Sequence, residues 1–328
     1  MVVKVLHLVP PFSGGIASAA EGLTSLTAPD LEHVLVTPTT ASGRLVGATL
    51  VHCHHALRWP EAKTLAARLG VPAVKTVHIL QARQSRLRGL PPEAATRSER
   101  LQAEALAEAH TLTIATHAAR ALLLEDHPRL DPERVRVLPL PTTLPLLPRA
   151  DADAASGPFI AVTRFDTLKG TDLLVELVPL LLEHTDARFM IAGGLPDNAR
   201  AERRWQDTFL AALAPEHHGR LAFSGWLGPE RLAALYATAR LFITTSRVET
   251  CGLALMEAVA AGCPAVATDL PVHREVAGPL ARYAAPSSAA FAELIATLPA
   301  VPGPARPLPA DRRGAITRQW LHFWSQTR

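Results

Sequence analysis

Apolar and polar positions follow two alternating periods along the chain. Short aliphatic and β-branched runs, such as Val2–Val9, Val34–Thr37 and Val74–His78, alternate with segments such as Glu61–Leu69 and Thr171–His184, whose apolar residues recur at helical spacing. Continuous apolar runs are typical of strands buried on both faces, whereas amphipathic helices repeat every 3.6 residues. The pattern therefore predicts an α/β fold, with parallel sheets covered by helices.

Proline interrupts this alternation twice. Five prolines fall within residues 139–158, and a second proline-rich stretch covers Ala300–Pro309. Proline at that density cannot continue a helix or a central strand, so the first stretch is predicted to link two domains. We expect one α/β domain over residues 1–150, a second over residues 151–310, and a terminal amphipathic helix over residues 311–328.

Composition narrows the class of protein. The chain has 328 residues, of which 48% are hydrophobic and 19% charged, with a formal net charge of +3. This modest charge does not indicate nucleic-acid binding, and no apolar run is long enough for a transmembrane helix. The first ten residues resemble a strand and not a secretion signal. Three widely spaced cysteines fit free thiols, so a cytoplasmic location is expected.

Basic residues concentrate in one segment. Residues 83–100 contain five arginines against two glutamates. One interpretation is a solvated loop and helix face. The other is attraction to an anionic acceptor or to a membrane surface, which would make the protein a peripheral membrane partner.

A glycine pair follows the first predicted strand. Gly14 and Gly15 stand between that strand and a predicted helix. Glycine lets a ligand approach the backbone, and the helix N-terminus offers N–H groups to a phosphate. Two glycines alone are equally typical of a tight turn. The spacing is not that of a dinucleotide-binding loop, so a dehydrogenase is not indicated.

Two cations follow the first strand of the second domain. Arg164 and Lys169 flank a loop that ends at Gly170. Because ligands bind at the carboxyl ends of strands in such sheets, both cations are expected to reach one anionic site. A diphosphate leaving group needs this charge neutralised as its bond breaks.

A second loop carries two glutamates. Glu249 follows a predicted strand at Leu241–Thr245, and Glu257 lies within the next helix, which is predicted at Gly252–Ala261. The N–H groups at the start of that helix would form an anion site. Glu257 is surrounded by apolar residues, so its carboxylate needs a partner such as a pair of hydroxyl groups.

These blocks resemble the donor half of the retaining glycosyltransferase family 4. The family's arginine, followed five residues later by Lys-Gly, is matched by Arg164, Lys169 and Gly170, and its pair of glutamates by Glu249 and Glu257. Phe223-Ser224-Gly225 and the segment from Glu257 to Ala267 also match, whereas the first domain matches more loosely. The resemblance implies the GT-B fold, in which two Rossmann-like domains face each other across a cleft, with the terminal helix crossing back to the first domain.

The resemblance also implies a function and a set of site residues. A hexosyl group would move from a UDP- or GDP-sugar to an unidentified acceptor by a front-face mechanism, with no further cofactor and no metal. The oligomeric state stays open. The implied catalytic residues are Arg164, Lys169, Glu249 and His78. The implied donor-binding residues are Gly14, Gly15, Gly225, Trp226, Cys251, Gly252, Leu253 and Glu257.

Departures from the family leave two alternatives open. Leu138–Leu144 lacks the usual Asn-Gly, Pro271–Glu275 replaces the usual Gly-Gly before a glutamate, and Ile79 replaces an acidic residue after His78. A non-catalytic nucleotide-sugar-binding subunit and a sugar-nucleotide epimerase of the same fold therefore remain as hypotheses. The run His52–His55 is suggestive of a metal site, but successive residues of a strand face opposite sides, with His52 and His54 on one and Cys53 on the other, so its four side chains are not expected to converge.

Overall fold

The protein is described by a computed structural model, which divides into two units. Unit 1 consists of Met1–Thr143 with Ala310–Arg328, and unit 2 of Leu144–Pro309. The residues that the structure describes are 2–9, 15–37, 39–91, 94–145, 147, 149, 156–194, 198–298 and 312–327.

Unit 1 is built on a parallel sheet. Its six strands are ordered β2-β1-β3-β4-β5-β6, so the order reverses between β1 and β3. Valine, leucine and isoleucine dominate these strands, and most of their side chains are buried because helices cover both faces. The strands are β1 (Val3–Leu8), β2 (Leu31–Leu35), β3 (Leu50–Cys53), β4 (Ala73–Thr76), β5 (Thr111–Ile114) and β6 (Val135–Val137).

Helices connect the strands of unit 1, and local caps set their ends. The Thr96 and Thr116 hydroxyls accept hydrogen bonds from N–H groups in the first turns of the helices that follow them, and Gly70 ends a helix in the left-handed conformation. The helices are α1 (Gly15–Thr24), α2 (Trp59–Leu69), α3 (Gln81–Leu87), α4 (Arg97–Glu108), α5 (His117–Asp126) and the terminal α12 (Arg312–Gln326).

The terminal helix α12 packs within unit 1. Ile316, Trp320 and Trp324 are buried and recur every fourth residue, so they lie along one face of the helix. The Trp320 indole Nε1 also donates a hydrogen bond of 2.8 Å to the Pro139 carbonyl. The helix is thus held by apolar burial and by one directional contact.

Unit 2 contains a second parallel sheet of six strands. In the order β12-β11-β10-β7-β8-β9, the strands that come first along the chain (β7, β8 and β9) lie on one side and the later three on the other. The order therefore reverses between β7 and β10. The strands are β7 (Phe159–Thr163), β8 (Phe189–Gly193), β9 (Leu221–Gly225), β10 (Leu241–Thr244), β11 (Ala265–Thr268) and β12 (Ala281–Ala284).

Apolar helices cover this second sheet. Leu177, Phe189, Phe209 and Phe291 come from different elements and meet in one fully buried cluster. Packing of this kind supplies most of the free energy that holds sheet and helices together. The helices are α6 (Thr171–His184), α7 (Ala199–Ala212), α8 (Pro229–Thr238), α9 (Leu253–Ala260), α10 (Pro271–Ala277) and α11 (Ser288–Ala296).

The structure confirms the predicted fold class and shifts some elements. The strand expected at Val34–Thr37 lies instead at Leu31–Leu35, where Glu32 is exposed and His33 half-buried. An edge strand that pairs on one side tolerates such polar residues, so the apolar pattern misses its start. The three cysteines are free and buried. Each helix within the described ranges is too short or too polar to span a bilayer.

Candidate functional site

The order of strands in unit 2 reverses between β7 and β10, and their carboxyl ends lie side by side. In open parallel sheets, ligands bind outside the carboxyl ends of the strands at such a reversal. The loop after β7 contains Arg164 and Lys169, and the loop after β10 contains Glu249. The topology therefore brings these predicted residues to one position.

Gly170 fixes the distance between the two loops. Its φ of +68° is left-handed, and a Cβ atom on it would stand 2.1 Å from the Thr245 carbonyl oxygen. The Thr245 hydroxyl lies 2.9 Å from the Gly170 carbonyl and 3.1 Å from that of Lys169. Only glycine permits this approach, so the backbone itself positions the lysine.

Lys169 and Glu249 form the centre of the site. The Lys169 ammonium donates to Glu249 Oε1 at 2.5 Å, and the Ser246 hydroxyl donates to the same oxygen at 2.8 Å. Burial alone would raise the pKa of the Glu249 carboxyl, but the charges of Lys169 and His273 and these hydrogen bonds together lower it. Glu249 is therefore held as a carboxylate.

Arg164 lies more openly, with about half of its side chain exposed. Its guanidinium is paired with Asp166 at 3.1 Å. Asp166 also accepts a hydrogen bond of 2.9 Å from the Leu168 N–H, which closes the turn that leads to Lys169. The arginine is thus oriented by a residue that also shapes the loop.

Arg247 strengthens the join between the two loops, and sequence reasoning missed it. Its guanidinium contacts both carboxylate oxygens of Asp172, at 2.6 and 2.8 Å. The backbone N–H of Arg247 donates to the Leu168 carbonyl at 2.8 Å. Such two-point pairing fixes geometry as well as charge. The two residues are 75 positions apart, and neither has a local pattern that indicates the contact.

The start of α9 completes one side of the site. Gly252 has a φ of +64° and precedes the first helical residue, Leu253, while Cys251 is buried in the loop before it. The helix begins one residue later than predicted. A Cβ atom on Gly252 would lie 3.3 Å from the ring of His273. The His273 Nδ1 donates to the Thr268 carbonyl at 2.8 Å, and its Nε2 has no partner among the described residues.

Glu257 lies one turn after Leu253 on the same helix face. The hydroxyl of Tyr236, which is fully buried, lies 3.4 Å from Glu257 Oε2 and 3.1 Å from the Ala254 carbonyl. Burial, followed by the charge of Glu257, raises the pKa of Tyr236 well above its ordinary value. The tyrosine is therefore a neutral donor that positions the glutamate.

The remaining predicted residues lie elsewhere. Gly225 ends the edge strand β9, with a φ of +65°, and Trp226 follows it with half of its surface exposed. These two residues are two strands from β7. Gly15 begins α1 in unit 1, and Gly14 lies outside the described residues.

His78 follows β4 in unit 1 and is a half-buried ring in contact with a group of buried imidazoles. Its Nε2 lies 3.2 Å from His54 Nδ1. The ligand atoms of His7, His52 and His54 lie within 4.8 Å of one another, which makes this set a candidate metal site. Sequence reasoning weighed only residues 52–55 and missed His7, because the sheet joins β1 to β3.

Ion pairs occupy part of the basic segment. Arg83 and Arg86 both pair with Asp126, whose side chain is buried, and Arg83 also contacts Glu125 at 2.8 Å. Charges matched within the unit attract an external anion less strongly. For these two arginines, the arrangement favours the interpretation as a solvated loop and helix face.

Comparison with known sequences gives a consistent picture. Residues 158–300 match the family described as glycosyl transferases group 1. The D-inositol 3-phosphate glycosyltransferase of Mycobacteroides abscessus is 31% identical over 66% of this chain and 50% of its own length. The mannosylfructose-phosphate synthase of Agrobacterium fabrum is 34% identical over 33% and 24%, respectively. The chain spans about half the length of the first of these relatives.

Solved structures extend the likeness over both units. Anabaena HepE, in complex with UDP and glucose, superposes with a TM-score of 0.76 at 15% identity, covering 99% of this chain and 100% of that one. The sucrose-phosphate synthase of Thermosynechococcus elongatus gives a TM-score of 0.74 at 20% identity, covering 99% and 98%. The family match covers residues 158–300, and the likeness to solved structures shows the GT-B fold.

Proposed function

We propose that the protein is a retaining glycosyltransferase that moves a hexosyl group from a UDP- or GDP-sugar to an acceptor. The observation that carries this proposal is the Lys169–Glu249 pair at the reversal of strand order in unit 2. A lysine held at 2.5 Å by a carboxylate can turn to a diphosphate while the carboxylate accepts sugar hydroxyls.

Each side chain would have a separate role. Arg164 and Lys169 would neutralise the diphosphate, and the N–H groups of Gly252 and Leu253 at the start of α9 would add to that charge stabilisation. Glu257 would bind the ribose hydroxyls, with Tyr236 holding its carboxylate. The contacts to the diphosphate strengthen as negative charge grows on the leaving group, whereas the ribose contact of Glu257 holds the donor equally before and during the reaction.

The nucleotide base would lie near Gly225 and Trp226. Half of the indole is exposed, so a flat base can stack on it without displacing core residues. HepE is seen with UDP and glucose, which makes uracil the first base to test. From unit 1, Gly15 would approach the donor, and His78 would contact a sugar or acceptor hydroxyl. A cytoplasmic location and the absence of a metal or further cofactor stay predictions.

The chemical step exchanges one bond at the anomeric carbon. The bond from C1 to the diphosphate oxygen breaks, and a bond from C1 to the acceptor oxygen forms on the same face. The acceptor's hydroxyl proton passes to the leaving phosphate oxygen. Lys169 and Arg164 stabilise the charge that remains on the diphosphate.

Replacing Lys169 tests the proposal. K169A should lower turnover, measured as nucleotide release from a UDP- or GDP-sugar with an acceptor panel, by roughly 100- to 1000-fold. K63A is the matched control, because Lys63 pairs with Glu108 on the surface of unit 1. Equal turnover in K169A and the wild type would refute the assignment.

The same assays separate the alternatives. Calorimetric titration with UDP and GDP measures binding independently of turnover. Tight nucleotide binding without release from any donor would indicate a non-catalytic binding subunit. Release of an epimerised free sugar without an acceptor would indicate an epimerase.

A further inference from the structure

Four histidines of unit 1 form a continuous line of hydrogen bonds across the sheet. His33 Nδ1 lies 2.9 Å from His7 Nε2, His7 Nδ1 lies 2.9 Å from His54 Nε2, and His54 Nδ1 lies 3.2 Å from His78 Nε2. The four rings come from, or directly follow, β2, β1, β3 and β4, which is the order of these strands in the sheet. We call this line the histidine ladder.

One backbone carbonyl sets the direction of the ladder. His33 Nε2 lies 3.1 Å from the Leu26 carbonyl oxygen, which can only accept a hydrogen bond. His33 must therefore carry its hydrogen on Nε2, which leaves Nδ1 as the acceptor if the ring is neutral. His7 must then donate from Nε2 to His33, so its Nδ1 accepts from His54 Nε2. By the same reasoning, His54 Nδ1 accepts from His78 Nε2.

This direction holds only while each ring is neutral, because a cationic ring would donate from both nitrogens. His7 and His54 are fully buried. Burial is the largest cause that lowers the pKa of His7, His54 and His78 well below 6.5 and also lowers that of His33. The ammonium of Lys75, buried beside His54 and donating to its carbonyl at 3.2 Å, adds to the effect on His54 and His78.

We propose that the histidine ladder holds His78 as its Nε2–H tautomer, with no hydrogen on Nδ1. His33, His7 and His54 are then positioning residues that act on His78 through hydrogen bonds. The tautomer does not rest on the proposed function, whereas a sugar contact by His78 does. His78, which is half-buried, is the last ring of the ladder.

A metal ion bound by His7, His52 and His54 is the competing explanation. The nitrogen atoms that face one another in His7 and His54 are only 2.9 Å apart and already form a donor–acceptor pair. Within the part of the chain that the structure describes, these three rings make no hydrogen bond to a carboxylate, the usual orienting group for a ligating histidine. The nearby Lys75 ammonium further opposes a divalent cation.

Nitrogen-15 NMR of the full chain at pH 7.5 tests the tautomers. We expect His7, His33, His54 and His78 to appear as neutral Nε2–H rings. His273 is an internal reference of the opposite kind, because its Nδ1 must donate to the Thr268 carbonyl. His78 as an Nδ1–H ring, or a cationic ring in the ladder, would overturn the proposal. So would zinc that shifts the signals of His7, His52 and His54 at one equivalent.

Two substitutions of the half-buried His33 test the coupling. H33F removes the acceptor for His7, so the His78 tautomer ratio should shift by roughly five-fold, the equivalent of about 1 kcal/mol. H33Q retains a donor and an acceptor and should stay near the wild type. Equal His78 ratios in H33F and H33Q would overturn the coupling. A protein without transfer activity whose His78 is an Nε2–H ring would refute the proposed function and leave the ladder intact.

Discussion

Both units place their candidate chemistry where the strand order reverses, yet the two positions differ in kind. In unit 1, the reversal between β1 and β3 carries His7 and His54, which are neutral and fully buried. In unit 2, the reversal between β7 and β10 carries Lys169 and Glu249, which are charged and partly exposed. Both sheets thus provide a site at the reversal of strand order, and the side chains at that site determine its chemistry.

Acidification should produce the largest difference between the units. Burial is the first cause of the lowered pKa values of His7, His52, His54 and His78, so below pH 6.5 the unfolded rings bind protons that the folded rings do not. The contribution of these neutral rings to the free energy of unfolding is complete well above pH 6.5 and is lost as the pH falls through that value. From pH 7.5 to 5.5, each of these four rings should lower the free energy of unfolding by at most about 1.4 kcal/mol, and the four together by roughly 5 kcal/mol.

Denaturant unfolding at pH 7.5, 6.5 and 5.5 measures this loss. In unit 2, His273 is the buried imidazole whose pKa is lowered, again chiefly by burial, so the transition of unit 2 should move much less far than that of unit 1, where the pKa values of His33, His55 and His127 are lowered as well. Glu249 titrates below its ordinary 4.5 and adds nothing in this range. Equal shifts of the two transitions would show that the imidazoles of unit 1 are not held neutral.

Replacing Gly170 should have the next largest effect, confined to unit 2. In G170A the new methyl group meets the Thr245 carbonyl and the left-handed φ is strained, so unfolding should be easier by roughly 3 kcal/mol. Denaturant unfolding measures this change. G219A is the matched control, because a Cβ atom there meets nothing within 4 Å. Equal stability of the two variants would show that the loop can relax.

Neutralising Glu249 tests the charged character of the unit 2 site. E249Q keeps the shape of the side chain and removes its charge, so Lys169 loses its ionic partner. The Lys169 side chain is 31% exposed, so the loss of stability should be only about 1 kcal/mol and should shrink in high salt. Unfolding at low and high salt measures both effects. A loss that does not depend on salt would contradict the electrostatic origin.

The two tryptophans of α12 give the smallest contrast. Trp320 donates to the Pro139 carbonyl, whereas Trp324 Nε1 has no hydrogen-bond partner in the described ranges. W320F should therefore cost about 1 kcal/mol more than W324F, because it leaves a carbonyl unpaired. Thermal unfolding of both variants measures the difference. The reverse order would show that the edge contacts of Trp324 with His7 and His33, whose ring centroids lie 6.0 and 5.1 Å away, outweigh the hydrogen bond.

Sequence reasoning identified strongly periodic, buried elements more closely than short or polar ones. The helix predicted at Thr171–His184 has those bounds, because its apolar positions recur at helical spacing. The strands β6 and β12 and the helix α7 were not predicted, because short edge strands and polar helices have weak patterns. Local patterns therefore predict best where burial is greatest.

The site shows the same limit. Arg164, Lys169, Glu249 and Glu257 could be proposed from spacing, because loops after parallel strands share one edge of the sheet. Tyr236, which contacts Glu257, and Arg247, which pairs with Asp172, could not, since each contact joins residues at least 21 positions apart. No local pattern encodes contacts between distant segments.

The sequence by itself determined that the chain forms parallel α/β sheets, that residues 158–300 carry the family motifs, and which charges follow which strands. Those properties depend on local periodicity and spacing. Only the tertiary structure decided that Lys169 meets Glu249, and that His33, His7, His54 and His78 form one line. Strand order and the direction of a hydrogen bond arise from chain packing, which brings together residues that the sequence keeps apart.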